Sequence, residues 1–177
     1  MIAFRHADPR FPFLWETADQ PQARWHATGE GPAHYFAATP DGAWAEFLRH
    51  EGITDLADLA DVRRALWAIE LPDQPLAKPR LPGATLRGDL DSYESCQAEA
   101  RRLRAAGAAG LETTSAAVRP ATASGWRVAG GLRRARPRTE RAYVLFGQRP
   151  DVVGWAACSP GRPRADLLPR VNHLESA

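Results

Sequence analysis

Four residues have side chains whose chemistries would combine if the fold brought them together: Arg24 beside Trp25, Tyr35 in His34-Tyr35-Phe36-Ala37, Glu46 closing the run Pro40 to Glu46, and Ser115 after a short strand-like segment. A guanidinium is a forked donor for anions, a phenol offers a ring face and a hydroxyl, a carboxylate accepts hydrogen bonds, and a serine hydroxyl donates one. Eleven positions separate Arg24 from Tyr35 and eleven separate Tyr35 from Glu46, room for a strand, a turn and a return strand or helix. Each residue also has an ordinary reading. Arg24 serves as a surface ion-pair partner, Tyr35 as a core aromatic, Glu46 as a helix carboxylate facing Arg49 or His50, and Ser115 as a turn residue.

Most other chemistries lack their residues. There is neither a GxxxxGK[ST] loop nor a GxGxxG, and Ala129-Gly130-Gly131 opens neither a clear strand nor a helix. The five histidines, at 6, 26, 34, 50 and 173, form no HExxH, and Cys96 and Cys158 form no CxxC, so no metal is implied. A GxSxG elbow is missing. The run Arg133-Arg134-Ala135-Arg136-Pro137-Arg138 has no interleaved aromatics and reads as a solvated loop, so no direct nucleic-acid binding is expected.

The elements that must position the four residues follow from local signals. Ile2-Ala3-Phe4, Ala23 to Ala27 and His34 to Ala38 read as short strands or extended segments. Thr39-Pro40 supplies a capping hydroxyl and a proline at the first helical position, predicting a helix over Pro40 to His50 that ends at Gly52. Thr54 is read as the cap of a short helical run from Asp55 to Asp61, and Ala65 to Leu71 as a buried strand. Prolines 72, 75, 79 and 82 mark a connecting loop. Asp91 and Glu94 stand at capping-box spacing at the start of a helix over Asp91 to Ala106, with Cys96, Ala100 and Leu103 as its apolar stripe and Gly107 as its end. Strands return at Ala142 to Phe146 and Val152 to Ala157. This order predicts an α+β fold with a mixed β-sheet core flanked by helices.

The composition fits one folded domain over residues 1–177, with a core of about 1–157 and a Pro/Arg-rich tail, docked or frayed, from 158 to 177. Of the 177 residues, 44% are hydrophobic and 25% charged, a globular mixture. Residues 1–90 carry 9 Lys/Arg against 13 Asp/Glu, and residues 91–177 carry 14 against 8, so the second half favours an anion. No signal peptide or membrane-spanning stretch is visible, and two isolated cysteines suit a reducing compartment, so a cytoplasmic location without membrane contact is expected.

Taken together, the ordered set resembles the RES domain family, named for its Arg, Glu and Ser. The match runs through Arg24-Trp25, the spacer Gly29 to Gly31, Tyr35-Phe36-Ala37, Ala45-Glu46, Cys96-Gln97-Ala98, Gly110-Leu111, Ser115 and Val144-Leu145-Phe146, and reaches to about Trp155. The resemblance implies a strongly bent sheet similar to that of the ADP-ribosyltransferases. It also implies a bacterial toxin that consumes NAD⁺ as a substrate, with no cofactor, by hydrolysis or by phosphorolysis with inorganic phosphate. An Xre-type antitoxin is the implied protein partner. On this reading Glu46 stabilises the oxocarbenium ion formed as nicotinamide leaves, Arg24 clamps a phosphate, Tyr35 stacks on nicotinamide, and Ser115, with Ser124 as the alternative, donates to the nucleotide. Transfer of ADP-ribose to a protein, or a catalytically silent nucleotide-binding or partner-binding module, are the competing expectations.

Overall fold

Helix α1 (Pro40–His50) begins where Thr39 turns extended chain into helix: its hydroxyl accepts the Gly42 amide at 3.0 Å, and Pro40 needs no donor at the first position. The helix gives way at Gly52, whose φ of +64° suits a residue without a side chain. Buried Trp44, Phe47 and Leu48 form the inward face, and Glu46 lies on the half-buried margin of the helix.

In the computed structural model, which describes residues 1–174, α1 packs on a six-stranded sheet. The strands are β1 (Ile2–Ala7), β2 (Ala33–Ala37), β3 (Arg64–Glu70), β4 (Gly110–Thr114), β7 (Arg141–Phe146) and β8 (Val153–Gly161), ordered β4-β7-β2-β1-β3-β8. All five pairings are antiparallel. The sheet is therefore not mixed, and among the described residues the one parallel contact is the isolated bridge from Ala77 to Leu111. That bridge lays the proline-punctuated loop along the outer edge of β4.

β1 aligns with β3 over six residue pairs and β2 with β7 over five, but β1 meets β2 at Phe4–Ala37 alone. Beyond that point the two central strands part. Each half of the sheet is paired along its strands, with an irregularity between β3 and β8 at Arg64 to Trp67, and the seam between the halves is not.

Three apolar groups hold these layers. Trp44, Phe47 and Leu48 of α1 pack with Leu66 of β3 and with Leu167 and Val171 near the C-terminus. Cys96, Ala100 and Leu103 of a later helix pack on Trp25, Leu111 and Val144, as their spacing predicts. Ala3, Phe36, Ile69 and Leu145 fill the opposite side of the sheet. The core does not stop near residue 157: β8 runs to Gly161, and a 3-10 turn over Ala165–Arg170 buries Leu167 and Leu168 against α1.

The remaining elements depart from expectation in informative ways. Ala23 to His26 is not a strand but a tight turn, closed by the Ala23 amide on the His26 carbonyl at 3.0 Å and the reverse bond at 3.3 Å. The helix α2 covers Leu56–Leu59, and its cap is Asp55, whose carboxylate takes the Ala57 amide, rather than Thr54. A short helix α3 (Gly83–Arg87) closes the proline loop. Ahead of α4 (Tyr93–Ala105) lies a 3-10 turn over Leu90–Ser92, and no side-chain capping bond forms at either start, so the Asp91–Glu94 box is not made. Ser92 is engaged elsewhere. Finally, β5 (Trp126–Val128) and β6 (Leu132–Arg134) form a separate two-stranded ribbon in the segment read from sequence as loop.

The start of α1 is locked by a buried carboxylate. Glu140 Oε1 accepts the Thr39 amide and Oε2 accepts the Thr39 hydroxyl, both at 2.9 Å, while the Glu140 carbonyl holds the Ser115 amide at 2.9 Å. Gly42 lies against this carboxylate, and a β-carbon there would sit 2.6 Å from Glu140 Oε1 and 2.9 Å from the Ala37 methyl. Gly→Ala inside a helix ordinarily stabilises by about 1 kcal/mol. Here the sign reverses: Gly42→Ala is expected to cost about 2 kcal/mol through overpacking, read as a lowered urea midpoint at unchanged slope.

Candidate active site

The site lies where β1 and β2 separate. A cleft of about 890 Å³ opens there between the sheet, α1 and the 93 and 113–116 regions. That is within the range of pockets that hold small ligands and cofactors. Glu46, Tyr35, Arg24 and Tyr93 line it, with Arg5 on β1 and Arg64 on β3.

Glu46 and Ser115 come together although 69 positions separate them. Ser115 Oγ donates to Glu46 Oε1 at 3.0 Å and accepts the Ala117 amide at 3.1 Å. Its backbone is pinned by Glu140, so one buried acid fixes both the helix that carries Glu46 and the serine that orients it. Ser115 is 2% exposed. With its hydroxyl spent on Glu46, it is a positioning residue and not the nucleotide donor expected from sequence. Ser124, the alternative, instead accepts Arg170 Nη1 at 2.7 Å outside the cleft. The other carboxylate oxygen, Glu46 Oε2, lies 3.7 Å from His50 Nε2.

Tyr35 turns its hydroxyl inward. It accepts the Trp25 amide at 3.0 Å and meets His26 Nδ1 at 2.8 Å. Because His26 Nε2 faces the Pro21 carbonyl at 3.0 Å and a carbonyl only accepts, Nε2 carries the proton and Nδ1 accepts from Tyr35. Burial raises the phenol above its ordinary range, so it stays protonated. The anchored ring is left as cleft wall.

Arg24 does not present a free fork. Its Nη1 donates to Ser92 Oγ at 2.7 Å and the Thr85 carbonyl at 3.3 Å, its Nη2 to the Gly88 carbonyl at 2.6 Å, and its Cζ lies 4.8 Å from the centre of the Tyr93 ring. The guanidinium ties the 23–26 turn to the segment between α3 and α4. Its expected role as a phosphate clamp is not what this geometry offers. Arg24→Lys is therefore expected to cost about 2 kcal/mol in urea unfolding, because an ammonium cannot hold two carbonyls and a hydroxyl in this fork. Arg49, also in the cleft wall, is likewise spent on the Asn172 and Gly88 carbonyls and on Asp89.

The cleft cations with donors to spare are Arg5 and, in part, Arg64, which sequence reasoning passed over; Arg64 Nη2 lies 3.4 Å from His6 Nδ1 and its Nη1 3.8 Å from Asp8 Oδ2. Arg5 Nη1 and Arg64 Nε are buried nitrogens without a hydrogen-bond partner, the usual mark of a place for a ligand or water. Burial pushes the Arg5 guanidinium down to about 10, still charged at neutral pH. His6, between them in sequence and register, is held neutral, pushed down to about 3 by burial and by Arg64, Arg5 and His50. The available signal was Arg5-His6 in the middle of an apolar strand, where adjacent side chains put polar groups on both faces. Among the described residues no three His, Cys, Asp or Glu side chains gather as metal ligands. No helix among them is long and apolar enough to cross a membrane.

Fold and cleft thus define an α+β protein whose ligand-sized cavity sits at a break in an antiparallel sheet, with one oriented carboxylate, the unpaired Arg5 guanidinium and the open Nε of Arg64 on its walls. The RES domain model matches residues 2–163, and the chain belongs to the RES domain family. A solved chain from the M. tuberculosis MbcT-MbcA toxin-antitoxin complex is similar in fold, with 16% identity and a TM-score of 0.55 over 88% of this chain and 84% of that one. No curated protein matches significantly in sequence.

Proposed function

We propose that the protein is a toxin-type enzyme that degrades NAD⁺ by cleaving the bond between nicotinamide and ribose. The observation that carries this reading is the Glu46 carboxylate, oriented by Ser115 on the wall of a cleft lined by unpartnered Arg5 and by Arg64, whose Nε is buried without a partner. Nicotinamide leaves NAD⁺ with the electron pair of the C–N bond and becomes neutral, so the positive charge passes to the ribose as an oxocarbenium ion. Glu46 stabilises that charge and accepts a ribose hydroxyl. Arg5 Nη1 and Arg64 Nε, the buried donors without partners, take the pyrophosphate. Tyr35 and Tyr93 supply ring faces for nicotinamide while it is still a cation. Water then adds to the ribose carbon and loses a proton, giving ADP-ribose, or inorganic phosphate adds to give a phosphorylated ADP-ribose. Neither course calls for a cofactor.

Family membership and the similar toxin–antitoxin structure support a protein partner that restrains the enzyme. Purified protein incubated with NAD⁺, with and without phosphate, and with products separated by chromatography, tests the reaction. Release of nicotinamide with ADP-ribose identifies water as acceptor, and a phosphate-dependent product identifies phosphate. Intact NAD⁺ in both conditions overturns the proposal, and label appearing on a protein instead would establish ADP-ribose transfer.

A further inference from the structure

The ribbon of β5 and β6 pairs only with itself, and all six of its residues are exposed. Such a hairpin is marginal in water unless something covers it. Its base is fixed: Ala123, 1% exposed, exchanges two backbone hydrogen bonds with Arg138 at 3.0 and 2.8 Å. From there it projects away from the core.

The register sorts its side chains. Trp126 lies opposite Arg134 and Val128 opposite Leu132, so these four share one face, with the Arg134 guanidinium carbon 5.6 Å from the Trp126 ring centre. Val128 and Leu132 are 85% and 68% exposed, the two most exposed large apolar side chains among the described residues. On the other face Arg127 lies directly opposite Arg133. Like charges in that position repel and destabilise the pair unless an anion lies between them.

The nearest acid along the chain, Glu140, is buried on Thr39 and faces Arg138 alone. Residues 119–139 hold six arginines and no carboxylate. A second cavity of about 580 Å³ separates the ribbon from the start of α1, and Arg134, Arg136 and Arg138 line it. The one carboxylate in its wall, Asp41, already lies 3.4 Å from both Arg164 and Arg170.

We propose that the β5–β6 ribbon is a docking surface for an acidic segment of a partner protein that adds as an extended strand along its unpaired edge, so that alternate side chains reach both faces: carboxylates meet Arg127 and Arg133 on one, and apolar side chains cover Trp126, Val128 and Leu132 on the other. Charge complementarity makes the partner acidic. The apolar face makes it a polypeptide and not a nucleic acid, because Val128 and Leu132 at the tip offer nothing to a phosphate backbone. A second copy of this chain would set arginine against arginine. This inference rests on the reading above only in naming the kind of partner that would restrain the enzyme, and the ribbon lies outside the cleft that holds Glu46.

The test uses a synthetic 14-residue peptide alternating Glu with Leu or Phe, labelled for fluorescence anisotropy at low salt. Its controls are a Lys-for-Glu version, an all-Glu version and a 20-nucleotide single strand. Binding of the Glu/Leu/Phe peptide at least tenfold tighter than any control is expected, weakened tenfold or more by Arg133→Glu and by Trp126→Ser. The urea midpoint and NAD⁺ turnover of both variants should match the unsubstituted chain, so a failed ribbon and a failed enzyme reading are told apart. Tighter binding of the oligonucleotide, equal binding of the all-Glu peptide, or indifference to both substitutions would overturn the proposal.

Discussion

Glu46→Gln is expected to slow nicotinamide release from NAD⁺ by about 1,000-fold while moving KM only a few-fold. The amide keeps the size of the side chain and can still receive the Ser115 hydroxyl on its oxygen, so packing and orientation survive. What disappears is the negative charge, and that charge matters only once the ribose becomes cationic. The effect therefore falls on kcat. Because Glu46 is partly open to solvent, its replacement should leave the urea midpoint nearly unchanged. Ser115→Ala provides the companion measurement: it removes the hydrogen bond that aims the carboxylate but not the charge, so an intermediate loss of about tenfold in kcat is expected. If Glu46→Gln turned over NAD⁺ at the unsubstituted rate, the carboxylate would have no part in the chemistry.

The second large effect is acid destabilisation. His34 is completely buried in β2, and its pKa is pushed down to about 4, chiefly by burial and then by Arg5. Its Nε2 donates to the Gly147 carbonyl at 3.1 Å, and the other ring nitrogen is buried without a partner. The unfolded chain takes up a proton near the ordinary histidine value of about 6.5, whereas the folded chain resists until about 4. Stability from this residue is thus complete above pH 6.5 and is lost as pH falls toward 4. From pH 6.5 to 4.5 it amounts to about 2 to 3 kcal/mol. His6 acts in the same direction. Glu140 opposes them, because burial raises its pKa and the folded state then holds a proton that the unfolded state has released, which favours the fold on the acid side of that window. The net expectation is a urea midpoint that falls steeply below pH 6, with His34→Gln flattening the dependence. A midpoint constant from pH 7 to 4.5 would mean that His34 is not held neutral by the fold.

What could be read from sequence tracks how local the determining interaction is. The limits of α1 were legible because Thr39, Pro40 and Gly52 act within one turn of the helix ends. The α4 stripe was legible because helical periodicity alone brings Cys96, Ala100 and Leu103 to one face. Arg24 was misread because Arg-Trp-His alternates like a strand, while two backbone bonds between Ala23 and His26 bend it into a turn. The partners that consume its guanidinium lie more than 60 positions away. The pairing of Ser115 with Glu46 depends on β7 and Glu140, which no spacing between 46 and 115 could reveal. The ribbon escaped notice because its strands are only three residues long, each interrupted by arginine, and flanked by glycine.

The single residue pair joining β1 to β2 also divides the molecule mechanically. One slab holds β4, β7 and β2, the other β1, β3 and β8; Phe4–Ala37 is the one strand pairing between them, and side-chain packing such as Ala3 and Ile69 on Phe36 and Leu145 makes the rest of the join. Amide hydrogens inside either slab are exchanged only when that slab opens, whereas those of Arg5–Ala7 and His34–Phe36 that face the seam have no cross-strand carbonyl to shelter them. Within the six-stranded sheet, deuterium should therefore enter along this line first. A molecule lodged in the cleft spans both slabs, so its occupancy would be recorded as slower labelling on both banks of the seam at once.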